Sequence, residues 1–300
     1  MIAAESSDFG TESGLSQLLP AVTILSGFEF FMSKLALLSD IHANADALNQ
    51  VLAYCESLGV DKYACLGDIV GYNSEPQLCL RMINALNPIA RVRGNHDDYT
   101  AMNDDEMEGF NPNAKRAIFW TRSQLTEDER RWVGDAPLRV SIPGMPVTLV
   151  HSTLDSPNTW GYVFDVYHAI DNFSYQLTQL CFCGHSHVPV AFCKKPFASG
   201  PLRGVEELRD WVMVNNAMPN NFDEIDTFSV RIEPGCKYLF NIGSIGQPRN
   251  HDPRASFAVF DDAARTVTRY ALPYDIASAQ TKVLEAGLPE RLANRLAIGE

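Results

Sequence analysis

Five short clusters in this chain combine residue types that bind divalent metal ions: Asp40-Ile41-His42, Gly67-Asp68, Gly94-Asn95-His96-Asp97, His151, and Gly184-His185-Ser186-His187. Carboxylate, amide oxygen and imidazole together suit borderline ions such as Mn, Fe, Zn or Ni. The chain has seven histidines, and five of them lie in these clusters, with His168 and His251 outside. Histidines placed for packing would be scattered. Two divalent ions about 4 Å apart repel by roughly 16 kcal/mol at an effective dielectric of about 20, so an anionic ligand must lie between them. Asp68 is the candidate bridge, because the neighbouring glycines let backbone approach closely. The Asp-x-His spacing is expected to turn Asp40 and His42 to one side of an extended backbone, and His185 and His187 repeat it.

The elements that must position these clusters can be read from apolar runs. Lys34 to Ser39 reads as a buried strand, followed by a helix capped by Asn44 and stopped by Gly59. Tyr63–Leu66 is a second strand, a helix fits Glu75 to Leu86 with Pro76 in its first turn, and Ile89–Arg93 is a third strand. This β-α-β-α-β rhythm predicts parallel strands joined by right-handed crossovers. Helices fit 114–123 and 127–133. Further strands are expected near 138–142, 147–150, 180–183, 188–193, 238–242, 256–260 and 266–271, and a last amphipathic helix from 275 to 297. The Pro-, Gly- and Asn-rich stretch 194–235 reads as an insertion or lid. Strand-rich sequence on both sides of the connecting helices predicts two packed sheets flanked by helices. Each metal-type cluster follows a candidate strand directly, and ligands of open α/β sheets bind just beyond the carboxyl ends of strands.

Bulk composition narrows the partners. The chain has 300 residues, of which 46% are apolar, so a packed body is expected. Its 24 basic and 37 acidic residues give a net charge of −13, which argues against bulk nucleic-acid binding and against an anionic membrane surface. An anionic substrate must therefore be attracted locally, and bound cations are the evident source. Seven cysteines, Cys55, Cys65, Cys79, Cys181, Cys183, Cys193 and Cys236, sit in apolar runs and read as buried thiols of a reducing cytoplasm. No run is long and apolar enough to cross a bilayer. No Lys or Arg precedes Lys34, so a secretory or mitochondrial leader is not expected. Residues 1–31 read as a flexible extension or the product of an early start codon, and residues 32–300 as one domain.

The five blocks, in this order, resemble the calcineurin-like metallophosphoesterase superfamily. The likeness extends to Asn241-Ile242-Gly243-Ser244-Ile245-Gly246-Gln247-Pro248-Arg249, which is similar to the glycine-rich block of the small bacterial and archaeal phosphodiesterase-like branch. The resemblance implies an α/β fold, a four-layer α/β/β/α sandwich of two mixed β-sheets flanked by helices. It implies a first metal held by Asp40, His42, Asp68 and His187 and a second by Asp68, Asn95, His151 and His185. His96 would protonate the leaving oxygen, after a metal-bridging hydroxide attacks phosphorus in line. The protein-phosphatase branch has Gly-Asp-x-Val-Asp-Arg-Gly in its second block. Here Gly71 replaces the aspartate that orients the histidine and Tyr72 replaces the arginine that clamps phosphate, which argues against a protein phosphatase. Asp97 and Asp98 are the nearby candidates to orient His96, and Arg249 is a candidate to contact substrate phosphate. The expected activity is hydrolysis of a small, nucleotide-like phosphodiester. The alternatives are a phosphomonoesterase or dinucleoside-polyphosphate hydrolase with the same site, or a non-catalytic scaffold. Oligomeric state is left open.

Overall fold

The computed structural model describes residues 33–103, 107, 111–200, 202–211 and 222–300, so the expected extension over 1–31 lies outside the described residues. The chain opens with β1 (Lys34–Leu38), α1 (Ala45–Ser57), β2 (Lys62–Cys65), α2 (Pro76–Ala85) and β3 (Ala90–Arg91). β1, β2 and β3 are parallel, as the alternation of strands and helices requires. Asn44 caps α1 by accepting from the Ala47 N–H at 3.1 Å, and Leu48, Val51 and Cys55 bury one face. Three helices follow: α3 (Asn95–Ala101), α4 (Pro112–Gln124) and α5 (Glu127–Gly134). The second half runs β4 (Arg139–Ser141), β5 (Val147–Val150), α6 (Val166–Tyr175), β6 (Leu180–Cys183), β7 (Val190–Lys194), β8 (Val205–Glu207), β9 (Asp226–Arg231), β10 (Lys237–Asn241), β11 (Ala255–Asp261), β12 (Thr266–Leu272), α7 (Ile276–Glu285) and α8 (Glu290–Asn294).

These strands form two six-stranded mixed sheets, ordered β3-β2-β1-β11-β12-β9 and β4-β5-β6-β10-β7-β8. Strand alternation decides the layers. Leu35 and Leu37 of β1 and Leu180 and Phe182 of β6 point between the sheets into one core, together with Phe240, Phe260 and Val267. Ala36 and Leu38 point the other way and pack with α1 and α2 residues such as Val51 and Ile83. Cys181 and Cys183 face Ala169 and Phe173 of α6 on the far side. The result is the four-layer α/β/β/α sandwich.

Four details differ from the sequence reading. The third strand is only two residues long, because Val92 N–H still reaches Cys65 O at 2.9 Å whereas Arg93 N–H turns away to Pro137 O at 3.1 Å. The third cluster is therefore not a loop but the first turn of α3. The long last helix is broken into α7 and α8, with Gly287 at φ 68° and Pro289 between them. The described parts of 194–235 supply β8 and β9, an edge strand for each sheet, which that weak pattern did not announce.

Phe240 lies at the centre of the inter-sheet core, fully buried, with ring centroids of Trp211 at 4.7 Å and Phe182 at 5.4 Å. Truncation there leaves a cavity that two sheets cannot close. Phe240→Ala is expected to lower stability by about 3–5 kcal/mol in urea denaturation.

Candidate metal centre

The loops after β1, β2, β5 and β6 and the start of α3 meet at one edge of the two sheets. They are tied to one another by main-chain hydrogen bonds: Asp40 N–H to Gly67 O at 3.1 Å, His42 N–H to Asp68 O at 2.9 Å, and Gly184 N–H to His151 O at 2.9 Å. The Asp97 carboxylate adds a clamp, accepting from the N–H groups of Asp68 at 2.8 Å and Ile69 at 2.9 Å. Asp68 Oδ1 accepts from the His96 N–H at 2.8 Å, joining the second and third clusters.

One ligand atom from each of Asp40, His42, Asp68 and His187 lies within 4.8 Å of every other, and the same holds for Asp68, His151 and His185. Six of the seven expected ligands thus fall into two groups that share Asp68. The seventh, Asn95, lines a small cavity with Asp68, His185, His187 and Arg249. His168 lies elsewhere, exposed and bonded to Asp165 at 2.8 Å, and His251 is exposed.

The backbone reaches this arrangement differently from the extended Asp-x-His geometry expected. Asp40, His42, His185 and His187 all have left-handed φ, from 49° to 67°, and Asp68 has φ 52°. The chain must reverse as it leaves each strand, and it does so at the side chains themselves. Left-handed backbone costs a non-glycine residue on the order of 1–3 kcal/mol, held here by the hydrogen bonds between loops.

Hydrogen bonds fix how each imidazole faces the cluster. Nδ1–H donates to a main-chain carbonyl in His42 (Val70 O, 3.1 Å), His151 (Leu66 O, 2.8 Å) and His187 (Gln247 O, 2.6 Å), leaving Nε2 toward the centre. His185 is reversed: its Nε2–H donates to Trp160 O at 2.8 Å, so Nδ1 is the free lone pair. Carbonyl-held imidazoles of this kind are oriented as metal ligands are. Burial pushes His42 well below the usual histidine range and His185 down to about 3, so both are neutral. Burial works against charge on Asp40 and Asp68 too. The neighbouring His187 and His151 side chains nevertheless hold Asp40 and Asp68, respectively, below their ordinary value. His151 is pushed up to about 9, because the Asp68 charge outweighs its burial.

A cation fits this donor set. Nε2 of His42 and Nε2 of His187 lie 3.0 Å apart. With both Nδ1 atoms committed as donors, two lone pairs face each other, which is repulsive unless positive charge lies between them. Asn95 Oδ1 is buried without a hydrogen-bond partner, while Asp68 Oδ2 has the His151 Nε2 at 3.3 Å and the His42 Nε2 at 3.7 Å beside it. An orphaned polar atom costs about 1–3 kcal/mol unless something pairs with it.

Neither acidic neighbour is placed to orient His96 as expected. Asp97 is taken up by the clamp, and Asp98 pairs with Arg93 Nε at 2.8 Å. The His96 ring instead packs against Tyr72 at 4.3 Å between centroids and His42 at 4.8 Å. Gly71 makes the space: at φ 89°, a Cβ there would lie 2.4 Å from His96 Nδ1. Arg249 Nη2 donates to the Tyr72 hydroxyl at 3.2 Å and to Gln247 Oε1 at 3.0 Å, and it forms no ion pair among the described residues. Sequence reasoning missed the Asp97 clamp and the Trp160 and Gln247 carbonyls, since a main-chain acceptor carries no residue signature.

Known proteins share the fold and, over most of the chain, a third of the sequence. Residues 33–216 match the calcineurin-like phosphoesterase superfamily domain. An uncharacterised protein of Methanocaldococcus jannaschii is 33% identical over 269 residues, covering 89% of this chain and 98% of that one. The crystal structure of a metallophosphoesterase from Sphaerobacter thermophilus superposes with a TM-score of 0.72 at 34% identity, over 89% of this chain and 99% of that one. A hypothetical protein of Pyrococcus horikoshii shares the fold, with a TM-score of 0.68 at 19% identity, over 90% of this chain and 99% of that one. Fold and family together define an enzyme class, the metallophosphoesterases. The chain belongs to the calcineurin-like phosphoesterase superfamily.

Gly71→Ala tests the space around His96. The added methyl group must displace the ring, and a misplacement of about 1 Å can cost about 10²-fold in rate. The expected outcome is a kcat lower by about that factor, with metal content by elemental analysis unchanged.

Proposed function

We propose that this metallophosphoesterase is a phosphodiesterase with a dinuclear centre. One ion would be held by Asp40, His42, Asp68 and His187, the other by Asp68, Asn95, His151 and His185. The observation that carries this reading is the pair of ligand groups sharing one buried carboxylate, Asp68. The donors suit manganese, iron, zinc or nickel. Divalent ions bound there would acidify a water molecule and neutralise charge developing on the phosphoryl oxygens.

The chain's own residues supply the remaining steps. His96 sits beside the ligand groups and is the proton donor to the leaving oxygen. Burial pushes its ring down to about 4, and a phosphate anion beside it favours the protonated form. Arg249 lines the same small cavity and is available to a phosphoryl oxygen. It is the arginine nearest the ligand groups, in a site whose second block has Tyr72 in place of an arginine clamp. A cavity of about 390 Å³ beyond His96 leaves room for a second alcohol. Seven free, buried cysteines suit a reducing compartment, so we place the enzyme in the cytoplasm. Among the described residues no helix is long and apolar enough to cross a membrane.

A panel of mono- and diesters, of 4-nitrophenol and of simple alkyl alcohols, tests this reading on manganese-loaded enzyme. Diesters are expected to be cleaved in preference to monoesters, and a chelator should abolish both. His96→Ala is expected to retain metal and to slow turnover by about 10²–10⁴-fold, most for the alkyl esters, whose leaving groups need a proton. Cleavage of monoesters alone would contradict the diester reading, and normal alkyl-ester turnover in His96→Ala would remove its role.

A further inference from the structure

Beyond His96 and Asn95 the cavity of about 390 Å³ is lined by three arginines, Arg249, Arg291 and Arg295. Three arginines around one cavity are unexpected in a chain of net charge −13. Arg249 and Arg291 form no ion pair among the described residues, unlike Arg93, Arg131, Arg254 and Arg265. Arg249 bonds to the neutral Tyr72 and Gln247, whereas Arg295 Nε donates to the terminal carboxylate of Glu300.

The local structure holds them together against their repulsion. Arg291 lies in α8 and Arg295 follows one turn later, so the two share a helical face. Like charges at this spacing destabilise a helix by about 0.2–0.5 kcal/mol. Leu292 and Ala293 anchor the segment by packing with Tyr72 and Val283, and Leu296 is buried as well. The mutual field is evident in Arg295, pushed down to about 10 by burial and then by Arg249. Glu300 offsets part of the charge at Arg295, Arg249 and Arg291 have no acidic partner among the described residues, and a phosphate matches guanidinium geometry and would pair with two donors at once.

We propose that Arg291 and Arg295 form a subsite for a second phosphate group, so that the preferred substrate carries one phosphate beyond the one that is cleaved. The proposal rests on the phosphodiesterase reading of the adjoining centre. The second phosphate has two chemical sources: a terminal phosphate on the sugar of a short oligonucleotide, or a further member of a polyphosphate chain.

The test measures kcat/KM on manganese-loaded enzyme for bis(4-nitrophenyl) phosphate, a dinucleoside monophosphate, the same compound with a 5′-phosphate, and diadenosine tetraphosphate. The account expects a preference of about tenfold or more for a substrate with the extra phosphate, the scale of a charge-assisted hydrogen bond. Preference for the 5′-phosphorylated dinucleotide assigns the sugar-borne source, and preference for the tetraphosphate assigns the chain. In the Arg291→Gln/Arg295→Gln variant this selectivity ratio should fall toward one. Arg291→Lys/Arg295→Lys should recover part of it, which separates lost charge from lost folding. Cleavage of the simple diester with no preference, or a ratio unmoved by the glutamine pair, would overturn the subsite while leaving the phosphodiesterase reading intact. Failure to cleave any of the four would overturn that reading instead. Calorimetric binding of the 5′-phosphorylated dinucleotide to the same loaded protein then decides the subsite: affinity weakened about tenfold in the glutamine pair supports it, and equal affinity overturns it.

Discussion

The structure turns on electrostatic crowding in one buried place. Asp40 and Asp68 are carboxylates with almost no exposure, and four imidazoles aim ring nitrogens at the space between them. Carbonyl partners on the far side of each ring leave those nitrogens facing the centre, as lone pairs wherever the ring is neutral. Acceptors gathered this closely repel one another, and the protein interior does little to screen them. Only positive charge at the centre turns the repulsion into cohesion. The proposed pair of cations, with Asp68 between them, is the arrangement that satisfies every acceptor at once.

Much of the fold can be understood as the means of holding that crowd together. Two sheets packed face to face set strand ends from separate parts of the chain along one edge. The interlocking core of Leu35, Phe182, Phe240 and Phe260 keeps them in register. From there, short main-chain bonds and the Asp97 clamp fix the loops, so left-handed backbone at five of the candidate ligand positions is tolerated. The third cluster enters on a helix, which presents His96 beside the two candidate ligand groups rather than among them. Gly71 belongs to the same design, since any side chain there would occupy the space of the His96 ring.

The candidate site was legible because its residues are rare types clustered at strand ends. Asp40, His42, Asp68, His151, His185 and His187 could be picked out without knowing any contact between them. Their backbone conformation was not legible, because aspartate and histidine do not advertise left-handed φ as glycine does. The parallel β1–β3 unit was readable from its apolar rhythm, with the ends of β3 misjudged where Arg93 leaves the sheet. β9 was missed although Phe228 and Val230 alternate with polar neighbours, since only half of an edge strand is covered. Arg291 and Arg295 carried no signal at all. Their meaning depends on α8 folding back against Tyr72, a contact across more than two hundred residues.

The most direct test is anomalous diffraction at the manganese edge from crystals grown with that ion. The account predicts two peaks flanking the Asp68 carboxylate, about 3.5–4 Å apart as in other two-metal hydrolases, both lost in Asp68→Asn. A single peak away from Asp68, or none at full occupancy of the added metal, would contradict it.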